Sequence, residues 1–299
     1  MRHLLLTLIK VAKYAYYRCS SVIIVNGYLG PSLSNNNFGD DINIPLLKAL
    51  TGKKVIALSD TGLTFIPHLL CIGSVIGRLN RESRIWGSGA MFENQTLSSH
   101  PRKVYAVRGK YTREYLIRQG ISCPEVYGDP ALLLPLIYPP CLLKKYHIGI
   151  IPHYSEYDIP HVMAFRNSHP EILCIKMRGY SSWQEVIDQI VSCDYIISSS
   201  LHGLIVSDAY GIPNVFAKFS NLVEGGTFKY RDYFSGVNRI FEEPLDFSGK
   251  IQLDVAEKRI AHYSKIEFDC LPLLAAFPYK LQPQITQYML SLKDISPKS

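Results

Sequence analysis

The chain lacks most of the short signatures by which enzymes are commonly recognised, and each gap excludes a chemistry. No G-x-x-x-x-G-K-[ST] run occurs, so a P-loop nucleotide site is excluded. The serines of "SSLHG" have no glycine before them, so they do not form a G-x-S-x-G nucleophile elbow. Neither H-E-x-x-H nor a C-x-x-C pair is present, and no metal is expected. The seven cysteines are too scattered for a disulfide framework; with apolar neighbours such as "LLCIG" and "EILCIKM", they read as core thiols of a reducing compartment. No apolar run reaches the roughly 18 residues that a membrane span needs. The opening "MRHLLLTLIKVA" is interrupted by Lys10 and Lys13 and lacks a clean small-residue cleavage site. We therefore expect a cytoplasmic protein. Its basic, aromatic segment "IKVAKYAYYR" either packs on its own domain or touches the inner face of the membrane. Internal repeats and low-complexity tracts are also missing.

What is present is apolar material and dispersed positive charge. At 299 residues and 47% hydrophobic content the chain can bury a large core, which suits two domains. The formal net charge of +7 comes from 32 Lys and Arg that form no block. That pattern favours a phosphorylated small molecule or an acidic membrane surface over nucleic acid. Short β-branched runs alternate with segments of helical period from "VIIVN" (22–26) to "PNVFAKF" (213–219), and "PEVYG" (124–128) and "EILCIKM" (171–177) are among the expected strands. Alternation of nearly all-apolar strands with helices predicts an α/β fold with parallel sheets covered on both faces. The weakest joint is "LIYPPCLLKKYH" (136–147), so we expect domains at 1–139 and 140–299. The last helical segment, "PQITQYMLSLKDI", is free to pack on either of them.

Seven turns carry residues able to do chemistry. In "NNNFGDDINIPLLKALTG" (35–52), Asn37 and Asp40 stand where a polar turn opens into a helix, and either cap that helix or grip a sugar hydroxyl. "IWGSGAM" ends a strand in Gly87 and Ser88, either a tight turn or a close backbone approach to a ligand. Arg108 closes the strand "YAVR", where a guanidinium at the sheet edge suits capture of carboxylate or phosphate. Asp129 in "YGDPALLLP" caps a helix or reaches the same crevice. His153 and Arg178 end strands of the second half, with Lys218 a reserve cation. Finally, "SSSLHG" sets Ser199, Ser200 and His202 between a strand and a helix. A histidine there either exchanges protons with an anionic ligand or is structural.

In their order these turns resemble the polysaccharide pyruvyl transferase family: an N-x-G-D turn, a strand ending G-S-G, a strand ending V-R, a G-D-P-A turn and an S-x-H-G turn, here "NFGDD", "WGSG", "AVRG", "YGDPA" and "SSLHG" over roughly residues 35–220. One residue departs: the family usually has aspartate directly after the arginine, and this chain has Gly109. That aspartate either caps the next helix or orients the arginine. The resemblance implies two Rossmann-like domains facing a cleft in a GT-B-like arrangement. It implies transfer of the pyruvyl group of phosphoenolpyruvate, a co-substrate rather than a cofactor, to two hydroxyls of a sugar in a cell-surface polysaccharide or its lipid-linked precursor, with a cyclic ketal and phosphate as products. His202 and Asp40 are then catalytic. Arg108, Arg178, Ser199, Ser200, Lys218 and His153 hold the donor, and Asn37, Gly87, Ser88 and Asp129 the acceptor. A GT-B glycosyltransferase using a nucleotide sugar and a non-catalytic anion-binding scaffold are the alternatives, and the oligomeric state stays open.

Overall fold

The computed structural model of the chain describes residues 2–29 and 37–295. Five strands form the first sheet: β1 (Ile23–Val25), β2 (Val55–Ala57), β3 (His68–Leu70), β4 (Ser83–Trp86) and β5 (Lys103–Ala106). Five more form the second: β6 (Tyr146–Ile151), β7 (Leu173–Cys174), β8 (Cys193–Ser198), β9 (Asn214–Lys218) and β10 (Leu245–Asp246). All pairings are parallel. The sheets run β2-β1-β3-β4-β5 and β10-β9-β8-β6-β7. Counted from its own first strand, each half therefore has the order 2-1-3-4-5. In that order the chain reverses direction between the first and third strands, and the crevice beyond their carboxyl ends is where such sheets take ligands. Residues 26–29 and 71–74 flank one crevice, and residues 152–155 and 199–202 the other.

The local sequence explains the elements. β1 is three β-branched residues, all buried, as expected for a central strand covered on both faces. The helix Asn43–Thr51 stops at Gly52, whose φ of 70° is the left-handed conformation that glycine adopts without Cβ strain. Ser182 caps the helix Trp183–Val191 by accepting from Glu185 N, and the Glu185 carboxylate accepts from Ser181 N in return. Two strand expectations are corrected. "PEVYG" makes only a single bridge, Val107 to Tyr127, because Pro124 and Gly128 bound it on both sides. "EILCIKM" pairs only through Leu173–Cys174, since its continuation leaves the sheet to meet the first half, where Met177 O accepts from Phe38 N at 2.9 Å.

One body of buried side chains runs through both sheets, from Ile23 and Leu69 to Leu204 and Leu274. The 3-10 helix Pro130–Leu136 buries Leu133 and Leu134 completely and packs against the helix Leu201–Ala209, joining the halves behind the crevices. Trimming either leucine to alanine removes about 2–5 kcal/mol of packing. The C-terminal segment lies on the first half. Trp86 Nε1 donates to Leu273 O, and Gln282 donates to Leu50 O and Ala49 O. All seven cysteines are free thiols; Cys71, Cys123 and Cys193 are buried, while Cys19 and Cys141 are exposed rather than in the core.

Candidate active site

The two crevices open onto one cavity of about 510 Å³. Its wall brings together six of the residues singled out in the sequence: Asn37, Asp40, His153, Arg178, Ser200 and His202. The first half contributes the acidic side. Asn37 Nδ2 donates to Asp40 Oδ2 at 2.7 Å, and Asp40 Oδ1 accepts from Tyr28 N at 3.4 Å. Burial pushes the Asp40 carboxyl up to about 6, against the lowering effect of those hydrogen bonds. The turn is pinned by Asn43, whose amide donates to Asp40 O and accepts from Ile72 N, tying the chain just after β3 to the Asp40 turn. Asn35 and Asn36, which open the same motif, lie outside the described residues.

The second half contributes the basic side. His202 opens the helix Leu201–Ala209 and rests against the backbone of Gly39. A Cβ on Gly39 would lie 2.0 Å from His202 Nδ1, so this glycine is required by the close approach of the two halves. His202 Nε2 is buried with no hydrogen-bond partner among the described residues. Burial, reinforced by the positive charges of Arg108 and Lys229, lowers the imidazole to about 3, so it is neutral at pH 7. His153 is likewise held down to about 3 by burial, then by Lys229 and Arg178; its Nδ1 shares a hydrogen bond with Ser155 Oγ. Arg178 stacks on Tyr154, 4.2 Å from the ring centroid, and its backbone bridges that of Asn37 across the two halves. Ser199 sits one layer behind, where its hydroxyl donates to the buried Glu156 and accepts from His153 N.

The other six expected residues lie elsewhere. Arg108 is fully buried: Nε pairs with Asp232 at 2.9 Å, and its other nitrogens donate to Ser74 Oγ and Ala90 O. The strand ends two residues before it, at Ala106, so the side chain turns into the interface between the halves rather than out of the sheet edge. It touches the cavity through Ser74, which lines the wall, and through its charge on His202. Gly87 and Ser88 form a tight turn. A Cβ on Gly87 would meet Pro130 at 2.3 Å, and Ser88 Oγ is used up on Gly73 O. Asp129 is a helix cap, accepting from Ala131 N, fully buried and pushed by that burial to about 6. Lys218 is half-exposed at the end of β9, 3.7 Å from Asp246, away from the cavity.

Asp232 answers the Gly109 departure. It comes from the helix Phe228–Gly236 of the second half, and its carboxylate takes both Arg108 Nε and Thr112 N, capping the helix Lys110–Arg118. A Cβ on Gly109 would fall 1.7 Å from Asp232 O, so the space an aspartate would need is filled by the remote carboxylate's own backbone. The orienting and capping roles expected of a neighbouring aspartate are thus met by one 123 residues further along the chain, the difference between 232 and 109.

Sequence reasoning missed Lys229. Only 5% of it is exposed, it lines the cavity, and its ammonium has no hydrogen bond or ion pair among the described residues. A buried lysine whose ammonium meets only the Tyr230 ring, with no hydrogen bond or ion pair, is costly. Burial lowers it to about 8, helped by the charge of Arg108. In the stretch "TFKYRDYF" nothing separates this lysine from Arg231, because the period of a charged helix does not say which charge faces in.

Among the described residues no group of three or more His, Cys, Asp or Glu is arranged to hold a metal ion. A second cavity of about 400 Å³ lies at Arg239 and Tyr263, and there the partly buried guanidinium is satisfied by Asp208 and Asn214. The cavity shared by the two halves instead holds Lys229, without a hydrogen bond or ion pair among the described residues, and the orphaned imidazole, facing a carboxylate of raised pKa. No solved structure matches the chain. A protein of Acanthamoeba polyphaga mimivirus, described as uncharacterized protein L143, is 26% identical over 254 residues, 81% of this chain and 85% of its own length. A family model described as polysaccharide pyruvyl transferase matches residues 2–217, which takes in the cavity-lining residues from Tyr28 to His202 and leaves out Leu222, Glu224 and Lys229. With that match over more than two thirds of the length and both crevices built from its turns, the chain belongs to the polysaccharide pyruvyl transferase family.

Proposed function

We propose that the cavity moves the pyruvyl group of phosphoenolpyruvate onto two hydroxyls of one sugar of a polysaccharide or its lipid-linked precursor, leaving a cyclic ketal and phosphate. The observation that carries this reading is Lys229, a buried ammonium over the Tyr230 ring with no hydrogen bond or ion pair among the described residues, in a cavity whose far wall is Asp40. An anionic substrate supplies the missing partner. Lys229 and Arg178 take its carboxylate and phosphate, with the Ser200 hydroxyl as a further donor. In this reading residues 140–299 are the donor domain and residues 1–139 the acceptor domain.

His202 is neutral first because it is buried and then because the positive charges of Arg108 and Lys229 stand beside it. A bound dianion or trianion offsets that field and raises the imidazole pKa, so the proton arrives with the donor. His202 then delivers it to C3 of the enol, making C2 electrophilic. The first hydroxyl adds to C2 as Asp40 accepts its proton, the C2–O bond to phosphate breaks, and the second hydroxyl closes the ring. The two hydroxyl protons balance the proton gained by C3 and the one carried by the leaving phosphate. Asn37 holds Asp40 in place and Tyr28 N fixes its other oxygen.

The test is phosphate release from phosphoenolpyruvate in the presence of a panel of galactosides and mannosides. The His202→Ala protein should lose on the order of 10²- to 10⁴-fold in turnover. Wild-type turnover in that variant overturns the role of His202. A melting temperature raised by a nucleotide sugar but not by phosphoenolpyruvate overturns the donor.

A further inference from the structure

The helix Arg2–Cys19 has cations but no carboxylate, and no acidic residue stands anywhere before Asp40. From Thr7 to Cys19 no residue is buried. Leu8 is 58% exposed, Val11 61% and Tyr16 63%, far more apolar surface than a helix packed on its own domain leaves open. Leu8, Ala12, Ala15 and Cys19 follow at steps of four, three and four, so they form one stripe, with Ile9 and Tyr16 along its edge. Lys10, Lys13 and Tyr14 fall on the other side. That side leans on the rest of the chain: Lys13 Nζ reaches Thr61 O at 3.4 Å, and Lys10 and Tyr14 line a shallow cavity with Leu63 and Phe65.

We propose that this helix lies in the interfacial layer of an anionic lipid bilayer, its aliphatic stripe among the acyl chains, Arg18 at the headgroups beside it, and the charge of the exposed Lys10 and Lys13 adding to the attraction from the opposite side. A basic amphipathic helix of this kind gains from buried apolar area and from anionic headgroups together. Among the described residues no helix is long and apolar enough to cross a membrane, so the contact is in the plane of the surface. A second copy of the chain is the poorer occupant. The helix is roughly 27 Å long and about 10 Å across. It offers on the order of 300 Å² per face, against about 800 Å² per partner in a stable interface, and it brings like charges together. The location gives the contact a consequence. Thr61 belongs to the helix Leu58–Thr61, whose Ser59 Oγ donates to Leu29 O, and the neighbouring Tyr28 lines the active-site cavity. The bilayer would thus meet the molecule beside the Asp40 wall of the cavity.

This inference stands without the reaction, and its experiment involves no turnover. The full chain is floated with vesicles of phosphatidylcholine alone and of phosphatidylcholine with about a third phosphatidylglycerol, at low and high salt. Binding is expected only to the anionic vesicles and should weaken as salt screens the headgroups. The Leu8→Glu/Ile9→Glu and Lys10→Glu/Arg18→Glu proteins, altered only at exposed positions, should each bind at least tenfold more weakly with unchanged melting temperature. Absence of wild-type binding to anionic vesicles overturns the inference. So does binding by both variants as tight as that of the wild type, or a dimer in sedimentation that Leu8→Glu/Ile9→Glu dissociates.

Discussion

The two halves share one strand order and differ in the charge at its reversal point. Beyond β1 and β3 stand Asp40 and Asn37, with a carboxyl raised towards neutrality by burial; beyond β6 and β8 stand His153, His202 and Lys229, two neutral imidazoles and a lowered ammonium. Topology provides the crevice in each case, and the residues at its edge decide what enters. The comparison also shows how the halves are held in register. Arg108 and Asp232 are ions that satisfy one another in the interface, whereas Lys229, on the same helix as Asp232, has no ion pair among the described residues. One helix of the second half therefore supplies the clamp and, in the proposed reading, the anion site as well.

That contrast can be broken from either side. The largest effect should come from Asp40→Asn, which removes the base of the acidic side. Turnover should fall on the order of 10²- to 10⁴-fold in a phosphate-release assay, while affinity for phosphoenolpyruvate is unchanged. Next is the clamp. Asp232→Ala leaves the Arg108 guanidinium buried and unpaired, and urea unfolding should show a loss of about 3–5 kcal/mol. A loss below ~1 kcal/mol would mean that the interface readily admits water. The mildest is pH. Asp40 must be ionised to accept a proton, so kcat/KM should rise as pH passes through about 6. Lys229 must stay protonated to hold the donor, so it should fall as pH passes through about 8. Lys229→Met should abolish the alkaline limb and Asp40→Asn the acid limb.

The sheet-edge turns were legible because parallel strands are continuous apolar runs, so the first polar residue after a run, as with His153, is already at the crevice; Asp40 and His202 stood out instead as polar residues where a turn opens into a helix. Direction is less legible than position. Arg108 follows its strand as expected, but whether a side chain leaves the sheet edge or turns inward depends on a partner 124 residues away in sequence. Gly87, Ser88 and Asp129 mark a family turn, yet Pro130 fills the space beside Gly87, Ser88 Oγ donates to Gly73 O, and Asp129 Oδ1 accepts from Ala131 N. Lys229 and Glu156 left no trace in the pattern, since a charged residue on a short helix or turn reads as solvated until another element covers it.

The division of labour between the halves is tested most directly by titrating phosphoenolpyruvate calorimetrically into the wild-type, Asp40→Asn and Lys229→Met proteins. The wild type and Asp40→Asn should bind alike, and Lys229→Met should bind at least tenfold more weakly. Absence of wild-type binding, undiminished binding by Lys229→Met, or equal weakening in both variants would contradict a donor site built on the second half.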